Sequence, residues 1–188
     1  TALVRELRQE RYAPCAVAGL FDHQVAFWWL AFGGGNLFLA EPALSTLPDN
    51  EVESRLVDFC RLLGMAPEGF ASFIRKPWVL VFLIGHNKYQ ASRLYTFSPI
   101  DDYSAEDKQK IISSPGLESW QSSWNIILPL SEEERLRRQY EEESGHPPRR
   151  LDLIILTGHE IDLGLSPPRD AFALEYENPV FQVWVRRG

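Results

Sequence analysis

Cysteine is scarce in this chain. There are two, Cys15 and Cys60; neither belongs to a Cys-x-x-Cys, and no second pair exists to complete a zinc site. They read as two buried, reduced thiols of a cytosolic protein. A surplus of positive charge is also missing. Nineteen Lys+Arg stand against 26 Asp+Glu, a formal net charge of -7, whereas a nucleic-acid binder needs a strong basic patch. Long apolar runs are absent too. The longest is Val25 to Phe32, far short of the roughly 20 residues of a membrane helix. The N-terminal stretch carries Arg5, Glu6, Arg8, Glu10 and Arg11 and has no apolar signal core. The expectation is a soluble, cytoplasmic protein with neither nucleic acid nor membrane as partner. The chain begins at Thr1, which fits either removal of an initiator Met or excision from something longer.

Familiar catalytic signatures are lacking as well. The four histidines (His23, His86, His146, His159) form no His-Glu-x-x-His and no His-x-His, so no metal site is expected. Gly33-Gly34-Gly35-Asn36 lacks the Lys-Ser/Thr of a phosphate loop and the spacing of a dinucleotide fingerprint, and no Gly-x-Ser-x-Gly accompanies it. It reads as a hairpin turn, and no cofactor is expected.

What is present is globular. The chain has 188 residues, 45% of them hydrophobic, 12% aromatic and 24% charged, which suits one domain with a real core. Residues 2 to 12 read as a short amphipathic helix. Residues 14 to 40 read as a three-stranded meander that includes Val25 to Phe32. Asn50 with Glu53 makes a capping box. It opens a helix whose stripe is Val52, Leu56, Phe59, Cys60 and Leu63, stopped by Gly64. Pro67 opens a second helix that buries Phe70, Phe73 and Ile74. Trp78 to Ile84 reads as a central strand, and Ser92 to Phe97 as a half-buried one. Ser104 caps a helix to about Ile112, and Leu117, Trp120 and Trp124 suggest another helical segment.

Asn125 to Leu130 is an edge-strand candidate holding Pro129. Ser131 with Glu134 then opens a densely charged helix to about Glu143, anchored by Leu136 and Tyr140. That helix should project into solvent, as part of a surface insertion at about 131–150. Leu151 to Thr157 is a buried strand, and Ala171 to Tyr176 pairs with Val180 to Arg186 around Glu177-Asn178-Pro179. About nine strands come in runs separated by helices. The reading is α+β: one domain over 1–188, with a mixed or mainly antiparallel sheet and helices packed on it.

One constellation stands out. Val79 to Asn87 and Asp152 to Glu160 are both apolar runs ending in Gly-His plus a polar residue. On parallel neighbouring strands, His86 and His159 would emerge at one rim, with Glu160 and Asp162 to orient an imidazole or act as an acid. The second copy resembles the apolar strand plus Gly-His of caspase-like cysteine peptidases. That family needs a nucleophilic Cys on a later strand. No Cys follows either Gly-His, so the assignment is rejected.

The aromatics supply binding candidates. Trp28 and Trp29 are adjacent, so on a strand their rings take opposite faces; one is core and the other needs a cover. Trp120 and Trp124 suit a lid. The first functional expectation is a non-catalytic soluble protein-binding module (an inhibitor, immunity-type or adaptor protein) with another protein as partner. Its alternative is a small hydrolase or transferase using His86 and His159 with carboxylates. A second alternative is a structural subunit of a larger or viral assembly.

Overall fold

The computed structural model describes residues 17–33, 36–39, 47–85, 88–114, 125–142 and 151–188. Several expectations fall outside these residues: the helix at 2–12, the segment of Leu117, Trp120 and Trp124, and the loop at 143–150.

Strand β1 is Val17–Gly19, followed by helix α1, His23–Trp28. Asp22 starts this helix: its side chain accepts the backbone N–H of Gln24 at 2.8 Å and of Val25 at 3.1 Å. The helix runs on through a wide π-type turn, Trp29–Gly33, before strand β2, Asn36–Leu37. Helix α2 is Asp49–Leu62. Gly64 takes a positive φ of 72° just beyond it, and two bonds, Gly64 N–H to Arg61 O and Met65 N–H to Cys60 O, satisfy its last carbonyls. Helix α3 is Pro67–Ile74, and helix α4, Pro77–Val79, continues into a second π-type turn, Leu80–Ile84.

Strand β3 is Gln90–Ala91. A single 3-10 turn, Ile100–Asp102, precedes helix α5, Ala105–Ser113, whose Ser104 accepts from the Asp107 N–H as a cap. Strand β4 is Asn125–Ile126 and helix α6 is Leu130–Glu142. Strand β5, Leu153–Thr157, leads into helix α7, Gly158–Asp162. Strands β6, Phe172–Glu177, and β7, Phe181–Arg186, close the chain.

The described residues thus form an α+β fold with seven strands, not nine. The difference comes from two apolar runs. Val25 to Phe32 and Trp78 to Ile84 are helical, not strands. Each is an unbroken apolar run, which suits a buried helix as well as a buried strand. Local entry signals decide: Asp22 caps the first, and Pro77 presets the first turn of the second. The segment around 14–40 is accordingly not a meander. β1 and β2 pair in parallel, and parallel neighbours need a crossover, which the helix supplies.

The chain divides into two compact units. The first comprises Thr1–Ala40, Ser54–Met65 and Gly145–Gly188. Its five-stranded sheet has the order β2-β1-β5-β7-β6. β1 is parallel to β2 and β5, and β7 is antiparallel to β5 and β6, so the sheet is mixed. Val25 and Trp29 of the helix pack on Ala18, Leu20, Leu153, Ile155, Phe181 and Val183. Cys60 is buried there as a free thiol, and burial pushes its pKa well up.

The second unit comprises Glu41–Glu53 and Ala66–Ser144. β3 and β4 pair antiparallel in it, and Ala91, Tyr103, Ile111 and Ile127 form a buried cluster. Tyr140 of α6 stacks on Phe70 of α3 at 4.2 Å. Leu136 and Tyr140 anchor α6 as the spacing predicts. The helix is more firmly held than a solvent-projecting one, however. Glu133 binds Arg75 and Glu132 binds Tyr89. Glu134 and Arg138 keep the i,i+4 pairing at 3.7 Å, whereas Glu133 turns to Arg75 instead of Arg137.

Candidate functional site

Trp29 is completely buried, and its indole N–H donates to Asn36 O at 3.3 Å. Its position on a helix, not a strand, places it wholly in the core of the first unit. Trp28 is the last residue of α1 and His159 the second of α7; their side chains are not described. His86, Trp120 and Trp124 lie outside the described residues. The two Gly-His segments are not equivalent strand ends. β5 is a strand, but Leu80–Ile84 is helical.

Glu160 has a local employment. Its buried carboxylate accepts the Thr157 N–H at 2.8 Å and also the Thr157 hydroxyl. Thr157-Gly-His-Glu160 therefore has the layout of a capping box at the start of α7, with the glutamate reaching back to the cap residue. The Thr-x-x-Glu spacing was readable in the sequence, and it gives the polar residue after Gly-His a structural task.

The second unit holds the densest polar cluster described. Glu53, 3% exposed, sits on the inward side of the first turns of α2. Its Oε1 accepts from Lys88 Nζ at 2.9 Å and its Oε2 from Arg135 Nη2 at 2.8 Å. Arg135 also donates to Glu132 Oε2 at 2.9 Å, and the Tyr89 hydroxyl donates to the same oxygen at 2.9 Å. Asp49 lies 3.5 Å from Lys88.

Burial and the nearby carboxylates of Glu132 and Glu53 push the Tyr89 phenol up. Burial opposes ionisation of Glu132 as well. Hydrogen bonds from Arg135 and Tyr89 outweigh it, helped by the charges of Arg135 and Lys88, and hold this carboxyl below its usual range. Burial likewise disfavours the Arg135 charge, but its bonds to Glu132 and Glu53 raise its pKa. The cluster is satisfied within itself, as buried charges must be.

This cluster supports an apolar loop. Lys88 Nζ lies 5.3 Å from the Tyr89 ring centre and 5.9 Å from that of Phe97. Phe97 meets Tyr89 edge-on at 5.1 Å. The chain from Ser92 to Asp102 is pinned at both ends. Ser92 and Tyr95 exchange backbone bonds, and Ser92 Oγ accepts the N–H groups of Leu94 and Tyr95. The Arg93 N–H donates to Ser114 Oγ at 3.1 Å and the Ser98 N–H to the Tyr103 hydroxyl at 3.2 Å. Asp102 accepts from the Ser98 hydroxyl at 2.6 Å, from the Ser131 N–H at 2.9 Å and from the Ser131 hydroxyl. Partial burial works against the Asp102 charge, but these bonds hold its carboxyl low.

On this fixed backbone stand Leu94, Tyr95, Phe97 and Ile100, exposed by 61%, 53%, 40% and 40%. What the loop offers outward is apolar surface held in one shape. Sequence reasoning missed it by treating Ser92 to Phe97 as an alternating strand. Only Gln90–Ala91 pairs as one, and Ser92 to Tyr95 closes a turn. Ser98-Pro99 and Asp101-Asp102 are the turn formers that mark the loop.

Among the described residues, no group of three or more His, Cys, Asp or Glu is placed to hold a metal ion. No described helix is long and apolar enough to cross a membrane. No family model matches the chain, and no curated protein or solved structure matches it.

Proposed function

We propose that the chain is a non-catalytic protein-binding module that engages another protein through the loop from Ser92 to Asp102. The observation that carries this reading is the exposure of Leu94, Tyr95 and Phe97 on a backbone pinned by Ser92, Ser114, Tyr103 and Asp102. Exposed aromatic and aliphatic side chains form the anchors of interfaces, and a loop already ordered loses little entropy on binding. The net charge of -7 favours a partner with a basic rim, which speeds association. The module belongs, on this reading, to the cytoplasm, where a reduced thiol such as that of Cys60 persists. The alternative, a hydrolase or transferase using His86 and His159, needs a carboxylate available for proton transfer. The Glu160 Oε2 atom already accepts two hydrogens from Thr157.

The test is capture of the partner from the native source by the full chain, followed by calorimetric titration of that partner. The double variant Leu94→Asp with Tyr95→Ser should fold with an unchanged circular dichroism spectrum and lose affinity at least about 100-fold. A variant that binds the same partner with undiminished affinity overturns the reading.

A further inference from the structure

Three serines directly precede a proline: Ser98, Ser114 and Ser166. Their surroundings differ. Ser114 is buried, and its hydroxyl donates to Ile111 O at 2.7 Å. Ser166 is exposed, and its backbone N–H, not its hydroxyl, makes the bond to Leu63 O. Ser98 is half-buried between exposed Phe97 and Pro99. Its hydroxyl donates to Asp102 Oδ2 at 2.6 Å, an oxygen that also accepts the Ser131 hydroxyl. The other Asp102 oxygen accepts the Ser131 N–H at 2.9 Å. One carboxylate thus ties the docking loop to the first turn of α6. Ser98 is the one of the three that has accessible flanks and is bonded to a carboxylate through its hydroxyl.

We infer that Ser98 is a phosphorylation site, and that its phosphate releases the docking loop from α6. The backbone presents Ser98 in a form that a proline-directed protein kinase takes. A following proline biases a residue toward extended backbone, and Pro99 itself is extended, with φ -51° and ψ 143°. Phe97 and Ile100, each 40% exposed, flank the pair. In the reaction the Ser98 Oγ–P bond forms as the γ-phosphorus of ATP parts from the ADP oxygen. The hydroxyl proton passes to the base of the kinase.

The consequence follows from charge. Ser98 Oγ is now a donor to a carboxylate; phosphorylation removes that proton and adds about -1.5 to -2 charges at pH 7. The phosphate then stands beside Asp102, next to Asp101, with Glu132 and Glu133 in the first turn of α6. Those two glutamates already occupy the positive end of the helix. Neighbouring cations are engaged: Lys108 lies 3.1 Å from Asp101, and Arg75 is held by Glu133. A phosphate set against a carboxylate repels it. Asp102 therefore loses Ser98, and the loop loses its tie to Ser131. The effect on a partner rests on the docking reading; the release of the loop does not.

Incubating the folded full chain with ATP and a proline-directed serine kinase tests this, with the site located by fragment mass spectrometry. Phosphate should appear on Ser98. The amides of Ser98, Asp102 and Ser131, each hydrogen-bonded in the fold, report on release. In the phosphorylated chain their hydrogen exchange should quicken at least about tenfold, the loss of one hydrogen bond to a charged group. The same experiment on Ser166→Ala assigns the change to Ser98. Ser98→Ala removes the bond and adds no charge, so it should quicken the three amides less than the phosphate does. Asp102→Asn relieves the repulsion, so phosphate added to that variant should change exchange little. Phosphate on Ser166 alone, or on no serine of the folded chain, overturns the inference. So does a Ser98 phosphate that leaves the three amides unchanged. Exchange is measured without a partner, whereas Leu94→Asp with Tyr95→Ser tests docking with Ser98 unmodified, so the two readings fail separately. Where docking stands, phosphate on Ser98 should weaken it about tenfold or more, because a released loop must be ordered on binding.

Discussion

The Glu53 carboxylate lies 2.8 Å from the Arg135 guanidinium across 82 residues of chain, and its other oxygen lies 2.9 Å from Lys88 Nζ. Glu53 is the buried member of this trio, while its cations keep partial access to water. The energetics should therefore be asymmetric. Arg135→Met or Lys88→Met alone leaves Glu53 one cation and should cost about 1–2 kcal/mol. The double variant strands a buried carboxylate and should cost more than the sum, by about 1 kcal/mol or more. Urea unfolding of the four chains of the cycle measures the coupling; strictly additive losses would show that Glu53 does not depend on the pair.

The same cluster makes stability depend on pH at both ends of the scale. Glu132 has a folded-state pKa below its unfolded value. The stability it adds is present above the ordinary glutamate range of about 4.3 and is lost as pH falls through the lower folded value. Tyr89 has a raised folded-state pKa. Its contribution is complete below about pH 10 and declines as pH rises above that toward the folded value. Denaturation midpoints measured across pH should show both limbs. Glu132→Gln should flatten the acid limb and Tyr89→Phe the alkaline one, the latter also followed by tyrosinate absorbance.

Gly19 has no room for a side chain. A Cβ there would stand 2.5 Å from Phe59 Cε2 and 2.9 Å from Leu151 Cδ1. Phe59 has little freedom to yield, with Phe21 at 4.8 Å and Phe38 at 6.3 Å between ring centres. Gly19→Ala should destabilise the chain by about 1–3 kcal/mol through overpacking. Adding Phe59→Leu should recover part of the loss in thermal unfolding, because the smaller side chain vacates the space. No recovery would place the strain in the backbone of β1 rather than against the ring.

Asp102 holds the apolar loop without belonging to its tip. Asp102→Ala removes its bonds to Ser98 and Ser131. Amide hydrogen exchange at residues 98–102 should quicken, while global stability falls by about 1 kcal/mol. On the proposed docking, affinity for the partner should also drop although Leu94, Tyr95 and Phe97 are unchanged, because a loosened loop must be ordered on binding. Unaltered exchange in this variant would show that the backbone bonds at Ser92 suffice to hold the loop.

Features whose signals are local were readable in advance. The helical stripe through Leu56, Phe59, Cys60 and Leu63, the Pro67 helix start, the Ser104 cap and the β6–β7 hairpin all follow from spacing within a dozen residues. Val25 to Phe32 was not readable as helix from its period, since every position is apolar; Asp22 just before it held the answer. Asn50 and Glu53 have the spacing of a capping box, but α2 starts at Asp49 and Glu53 turns inward to Lys88 and Arg135. Glu53 at a capping-box spacing looks local, and its true partners lie 35 and 82 positions away. The exposure of Leu94 to Ile100 is set by tertiary placement and leaves no period in the sequence.

The place of β5 in its sheet has a consequence for how the chain is made. β5 pairs with β1 at Ala18 and Leu153 and with β7 on its other side. A chain growing from its N-terminus thus produces β1 early and must wait for Leu153 before that strand acquires its second neighbour. All of Ala66–Ser144 is synthesised in the interval. The first unit holds an open strand edge throughout that interval. Closure of that edge is a long-range and therefore slow step, and the N-terminal strands are most exposed to aggregation before the C-terminal hairpin arrives.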